Sequence, residues 1–291
     1  MAIECAMRPM RCRRRYAAQH GVTLIELIIV IAITAVIAGG VAVFISRPFE
    51  SYVDSARRAE LTDIADTALR RMTRDLRTAL PNSIRIACVP SCGPLTSTYY
   101  LEYLQTSGGG RYRADVDSSG AGNILDFTFA DTSFDVVGPM PTFSGGEWIV
   151  IYNLASSGTI ANAYDGSSTT NRGAYASNAG NTITLSPGKQ FPYPSPGKRF
   201  SVVQYAVTYA CNPTTGELRR YWNYGIAAAQ ATPPVTANNA LLANNVSATN
   251  GCSFTYAQND SRTGVVGLAV RIERSGETVQ LFQQAHVNNV P

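Results

Sequence analysis

The sequence predicts an α+β fold: a long N-terminal helix whose apolar half protrudes, and whose amphipathic half packs on an antiparallel β-sheet. Three observations carry this prediction. Leu24–Ile45 is an almost unbroken apolar run whose one charge is Glu26. Apolar residues then recur at three- and four-residue steps from Leu61 to Leu80. Beyond Pro81 that period gives way to short runs of Tyr, Val, Ile, Phe and Thr, broken by Gly, Pro, Ser and Asn.

The apolar run is long enough, at about 20 residues, for a bilayer-spanning helix. A secretory signal peptide has a shorter core with its cleavage site after it. Here the candidate break, Gly21, comes before the core, so the apolar segment stays on the mature chain. Glu26 is the anomaly within it. A carboxylate inside such a helix costs about 2.5–3.5 kcal/mol on insertion scales and marks a functional position by default. The plain alternative is that Glu26 lies near the helix end and reaches the membrane interface. Cleavage after Gly21 would create a cationic amine at Val22, within a turn of Glu26, and an opposite charge offsets the burial cost.

These residues resemble the type IV prepilin family, whose motif is a short basic leader, a glycine, one residue, then Thr-Leu-Ile-Glu and an apolar helix. Gly21, Thr23, Leu24, Ile25 and Glu26 match it. Val22 stands where Phe or Met is commoner. The resemblance implies a pilin-like fold. It also implies cleavage after Gly21 by prepilin peptidase, methylation of the new N-terminus at Val22, and contact of Glu26 with a neighbouring subunit during assembly. The implied partners are the peptidase, other pilin subunits and the inner-membrane assembly machinery. The implied location is a single pass of the inner membrane with a periplasmic body, then the pilus.

Four segments follow in order. Residues 1–21 form the leader, 22–46 the membrane or filament-core helix, 47–80 its amphipathic half and 81–291 a strand-rich body. Arg47-Pro48 predicts a bend, because proline removes one helical hydrogen bond. Leu61, Ile64, Ala65, Ala68, Leu69, Met72, Leu76 and Leu80 make one apolar face, with charged residues, Asp75 among them, on the others. Pro81-Asn82 stops the helix.

Strands are expected at Ser83–Ala87, Thr98–Leu104, Ile124–Phe129, Trp148–Tyr152, Thr182–Leu185, Phe200–Ala210, Leu218–Asn223, Cys252–Tyr256, Gly264–Glu273 and Thr278–His286. The last two form a hairpin through Arg274-Ser275-Gly276-Glu277. Gly108-Gly109-Gly110 reads as a turn, and Ala155–Asn181 and Ala227–Asn250 as polar loops.

Charge excludes one class of function. Five arginines and one glutamate in the first 21 residues account for the whole net charge of +4. The mature part is neutral and offers no footprint for nucleic acid, while positive charge ahead of an apolar helix holds that end in the cytoplasm. Cys5 and Cys12 would leave with the leader. Cys88, Cys92, Cys211 and Cys252 remain, and an even number in an exported domain favours disulfides, Cys88–Cys92 and Cys211–Cys252. The second pair is not clustered in sequence as zinc ligands are.

No catalytic set, metal site or cofactor motif is expected. Of two histidines, His20 is in the leader and His286 near the C-terminus, and no Gly-x-Ser-x-Gly elbow is present. Asp115-x-Asp117-x-x-Gly120 has the first ligands of a calcium loop without the later ones. The body pattern is similar to the large minor pilins of MSHA-type pili and the large minor pseudopilins of type II secretion. The expected function is therefore pilus assembly. The reading from a different class is an exported binding protein or hydrolase for which the helix is a tether.

Overall fold

A computed structural model describes residues 21–158, 160–258 and 262–291. Residues 1–20 of the expected leader, with Cys5, Cys12 and His20, lie outside the described residues. The chain divides into two compact units, one ending at Asp54 and the other comprising Ser55–Pro291.

The first helix, α1, spans Leu24–Leu76 and is assigned helical through Arg47-Pro48. Within the first unit, Leu24–Ala42 has a mean hydropathy of 2.6, none of it is buried, and it is long and apolar enough to cross a membrane. Thr34 does not break this character, because its hydroxyl donates back to the Val30 and Ile31 carbonyls at 2.8 and 3.0 Å and so needs no outside partner.

The second unit joins the rest of α1 to twelve strands among the described residues. They are β1 (Arg85–Val89), β2 (Thr98–Tyr112), β3 (Asp131–Val137), β4 (Trp148–Ile151), β5 (Arg172–Ala179), β6 (Thr182–Lys189), β7 (Arg199–Asn212), β8 (Glu217–Tyr224), β9 (Asn238–Ala243), β10 (Cys252–Gln258), β11 (Thr263–Arg274) and β12 (Glu277–Asn288). Nine form one sheet in the order β1-β2-β3-β6-β5-β4-β7-β8-β9, and β10-β11-β12 form a second. All pairings are antiparallel, as hairpin-rich connections favour. Because β2 also pairs with β7, β2, β3, β6, β5, β4 and β7 close into a ring around Phe134, Ile149, Ile183, Phe200 and Val202.

The main core lies under α1. Leu61, Ala65, Ala68, Leu69, Met72 and Leu76 are buried against Leu101 and Tyr103 of β2, Val207 and Tyr209 of β7, and Val266, Leu268 and Val270 of β11. The amphipathic half of the helix thus packs on antiparallel sheet, as the three- and four-residue spacing requires. The fold is α+β and pilin-like.

Several local expectations are corrected. The helix ends at Leu76 rather than Leu80. The Thr78 N–H and hydroxyl both bond the Asp75 carbonyl at 3.0 and 2.7 Å, and the Leu80 N–H already donates to Leu104 of β2 at 2.8 Å. Sheet pairing takes the backbone before proline is reached.

Gly108-Gly109-Gly110 is not a turn but lies inside β2. A Cβ on Gly109 would sit 2.6 Å from the Phe200 carbonyl oxygen, and one on Gly110 would sit 2.9 Å from the Phe200 ring. These glycines permit close approach of two strands. Gly109→Ala should therefore cost about 1–3 kcal/mol of stability by overpacking, read from the urea midpoint.

Ile124–Phe129 is irregular, and the strand begins at Asp131. The Asp126 carboxylate accepts from the Thr128 N–H and hydroxyl at 2.7 and 2.6 Å, a local turn that outcompetes extension. The two expected loops contain β5 and β9. Both are largely exposed, and each is flanked by polar, turn-rich sequence that hides it.

Candidate assembly site

The N-terminal motif is built on a helix cap. Thr23 precedes α1. Its carbonyl accepts the first helical bond from the Leu27 N–H at 3.1 Å, and its hydroxyl accepts from the Glu26 N–H at 3.3 Å. Thr23-Leu24-Ile25-Glu26 has the spacing of a capping box, in which Thr at the cap and Glu three residues on satisfy the helix end. Reading Glu26 as a charge alone misses this signal, although the sequence carries it. The glutamate also sits at the positive end of the helix dipole, where a carboxylate is favoured.

Capping explains part of Glu26 and leaves the rest of the motif unexplained. Gly21 has no heavy atom within 4 Å of an added Cβ. Packing among the described residues does not require glycine there. Gly39 and Gly40 are equally free of neighbours, although glycine inside a helix costs about 1 kcal/mol relative to alanine. Val22 is 67% exposed. Among the described residues the Glu26 carboxylate forms no ion pair.

In the body, the sites of interest are polar clusters that hold elements together. Asp75, expected on a polar face because it is charged, turns into the body. Its carboxylate accepts from the Tyr209 hydroxyl at 2.7 Å, Arg220 Nε at 3.0 Å and Arg71 Nε at 3.1 Å. Arg220 also reaches Gln105 Oε1 at 3.0 Å. Burial and the Asp75 charge push the Tyr103 and Tyr209 hydroxyls well above the ordinary tyrosine range, so neither ionises.

A second cluster joins Arg85 of β1 to Glu102 of β2 at 2.6 Å. Thr208 and Tyr224 complete the carboxylate's shell at 3.2 and 3.0 Å. The Arg85 guanidinium lies 3.7 Å from the centre of the Tyr164 ring. Burial raises the Glu102 pKa despite the arginine.

Cys88 is bonded to Cys92, and Cys211 of β7 to Cys252 of β10. The second bond ties the nine-stranded sheet to the three-stranded one. At Asp115–Gly120, the Asp117 carboxylate accepts from the Ser119 N–H and hydroxyl and the Ala121 N–H at 2.6–2.9 Å, and Asp115 pairs with Lys198 at 2.7 Å. His286 is exposed on β12. Among the described residues no three His, Cys, Asp or Glu side chains are grouped so as to hold a metal ion.

Comparison of the chain with curated proteins and with solved structures finds no match. Residues 16–42 match the family described as the prokaryotic N-terminal methylation motif. That match covers the cap, Glu26 and the apolar helix to Ala42, and it gives the chain a prepilin-type N-terminus.

Proposed function

We propose that this chain is a minor type IV pilin-like subunit that takes part in initiating or capping an MSHA-type pilus after processing by prepilin peptidase. Its size and body pattern resemble the minor pilin MshO of that system. In this reading the arginine-rich leader holds the N-terminus in the cytoplasm, Val22–Ser46 anchors the precursor in the inner membrane, and the body folds in the periplasm. Cleavage after Gly21 frees the Val22 amine for methylation. The helix then leaves lipid for a bundle of like helices, where Glu26 and a neighbour's amine neutralise each other. The protein acts as a structural subunit and not as an enzyme.

One observation carries the proposal: a lone carboxylate, in no ion pair among the described residues, on an exposed apolar helix five residues after a glycine that packing does not require. The test separates charge from capping. Glu26→Gln keeps a side chain that can complete the capping box, whereas Glu26→Ala removes both functions. Both variants should insert in the membrane and begin at Val22, and both should reduce incorporation into pili by tenfold or more, the equivalent of about 1.4 kcal/mol. Wild-type incorporation of Glu26→Gln would mean that the glutamate only caps the helix. N-terminal sequencing of working fibres that finds Met1 would favour a tether.

A further inference from the structure

The three-stranded sheet leaves one long edge open. β12 pairs with β11 over all twelve of its residues without a register shift. Among the described residues no strand lies on its other side. Edges of this kind are templates for another chain and are ordinarily blunted by short length, bulges, proline or charged side chains.

The protein's other edges carry such devices. β1 is five residues long and runs into Pro90 and the Cys88–Cys92 bond. β9 is six residues long, with a register shift against β8. β10 is bonded through Cys252 to β7. β12 has none: between Thr278 and Asn288 there is no proline, lysine, arginine or carboxylate.

The hairpin fixes which groups face outward. Ser275 and Gly276 both have positive φ, 52° and 84°, the two-residue turn that closes on a hydrogen-bonded Arg274–Glu277 pair. Counting along the antiparallel ladder, alternate residues bond to β11 and alternate residues point their N–H and C=O away. The bond from Asn289 N–H to the Arg262 carbonyl at 2.8 Å continues this count. The outward set is Thr278, Gln280, Phe282, Gln284, His286 and Asn288. Among the described residues no hydrogen bond reaches their backbone groups on that side. Their side chains are exposed as well, with Phe282 at 63%. The open edge is about 40 Å long at ~3.4 Å per residue.

We infer that the free edge of β12 is a strand-addition site that takes an extended segment, without charged side chains, from a different prepilin-type subunit. Main-chain bonds would give affinity, and an apolar side chain packed on Phe282 would give register. The neutral row of outward side chains sets the chemistry, because a charged strand would lose solvation there without gaining a partner.

Direction argues against an antiparallel pair of two copies. Arg58 pairs with Glu277 and Glu60 with Arg274, while Asn82 bonds Asn289 at 3.3 Å. β12 therefore runs the same way as the Ser55–Leu76 part of α1. An antiparallel pair of two β12 edges would set those helices in opposite directions, whereas subunits assembling from one membrane share a direction. This step rests on the pilin reading above.

The test uses the full-length chain in its own membranes, with Phe282 replaced by a photo-crosslinking phenylalanine. The expected result is an adduct with another prepilin-type subunit, mapped by mass spectrometry to an uncharged extended segment. Adding Gln280→Pro with Gln284→Pro should reduce it by tenfold or more. Those N–H groups do not serve the β11 ladder, so proline is tolerated at the edge. Gln280→Lys with Gln284→Lys gives the same block without constraining the backbone. Adducts only with a second copy, adducts only with proteins lacking a prepilin-type N-terminus, or yields unchanged in both double variants would overturn the inference. The crosslink is read before filaments form, so Glu26→Gln can lose pili while keeping the adduct, and the two proposals fail separately.

Discussion

Asp75→Ala should destabilise the body by about 3–5 kcal/mol, the range for removing one partner of a buried ion pair. The reason is what remains behind. The Arg220 side chain is 9% exposed and would keep only Gln105 and, 5.1 Å away, the Trp222 ring. The Tyr209 hydroxyl would lose its acceptor in a site where burial already keeps it un-ionised. Asp75→Asn retains an acceptor for Tyr209 and should cost less, about 1–3 kcal/mol. The control is Asp66→Ala. Asp66 also bonds an arginine, Arg70 at 2.6 Å, but the two side chains are 40% and 73% exposed. That pair is worth about 0.3–0.5 kcal/mol. Urea unfolding of the three variants decides the matter. Equal losses for Asp66→Ala and Asp75→Ala would show that Asp75 acts as an ordinary surface charge. Loss at Asp75 removes the polar tie between the last turn of α1 and β7 and β8, and leaves the apolar face from Leu61 to Leu76 to hold the helix.

The contrast between Asp66 and Asp75 shows what the sequence can and cannot reveal. Period alone assigns Leu61, Ala65, Leu69 and Met72 to one buried face, and burial follows. Charge, not period, points Asp75 to solvent, since its position three after Met72 and seven after Ala68 lies on the buried stripe. The tyrosine and the arginine that meet Asp75 there are 134 and 145 positions away, and nothing local announces them. The same limit applies to Gly108-Gly109-Gly110, which has turn chemistry locally but packs against Phe200, some 90 residues on. β5 and β9 escape notice because they are short, largely exposed and mix small and polar residues without a period-two alternation. The N-terminal site is legible for the opposite reason. Cap, glycine, carboxylate and apolar run are contiguous, so residues 16–42 match a known motif without help from the rest of the chain. Even there, Thr-x-x-Glu carries two messages, and charge is the more conspicuous one.

Removing the Cys211–Cys252 bond should cost about 3–4 kcal/mol, the chain-entropy value for a loop closed over a separation of 41 residues. The loop model attributes the loss to the unfolded chain, but the position of the bond adds a structural consequence. It connects β7, which pairs with β2, β4 and β8 in the nine-stranded sheet, to β10, an edge strand of the three-stranded sheet. Without it the two sheets are held together by the apolar core under α1, by backbone bonds of residues 245–251 to β11 and to Gly216, and by the ion pairs of Arg58 and Glu60 with the β11–β12 hairpin. Those pairs are largely exposed and contribute little. Loss should therefore fall unevenly: amide exchange should accelerate more in β10–β12 than in the ring of β2 to β7, since local opening follows the weakest attachment. Cys211→Ala with Cys252→Ala is the suitable variant, because Cys211 is fully buried and serine would leave an unpaired hydroxyl there. Cys88→Ala with Cys92→Ala, which opens a separation of only 4, should cost about 2 kcal/mol on the same model. If both double variants unfold at the same urea concentration, loop length is not what the larger bond contributes. If exchange rises uniformly across the body, the two sheets open together and the bond is not their principal link.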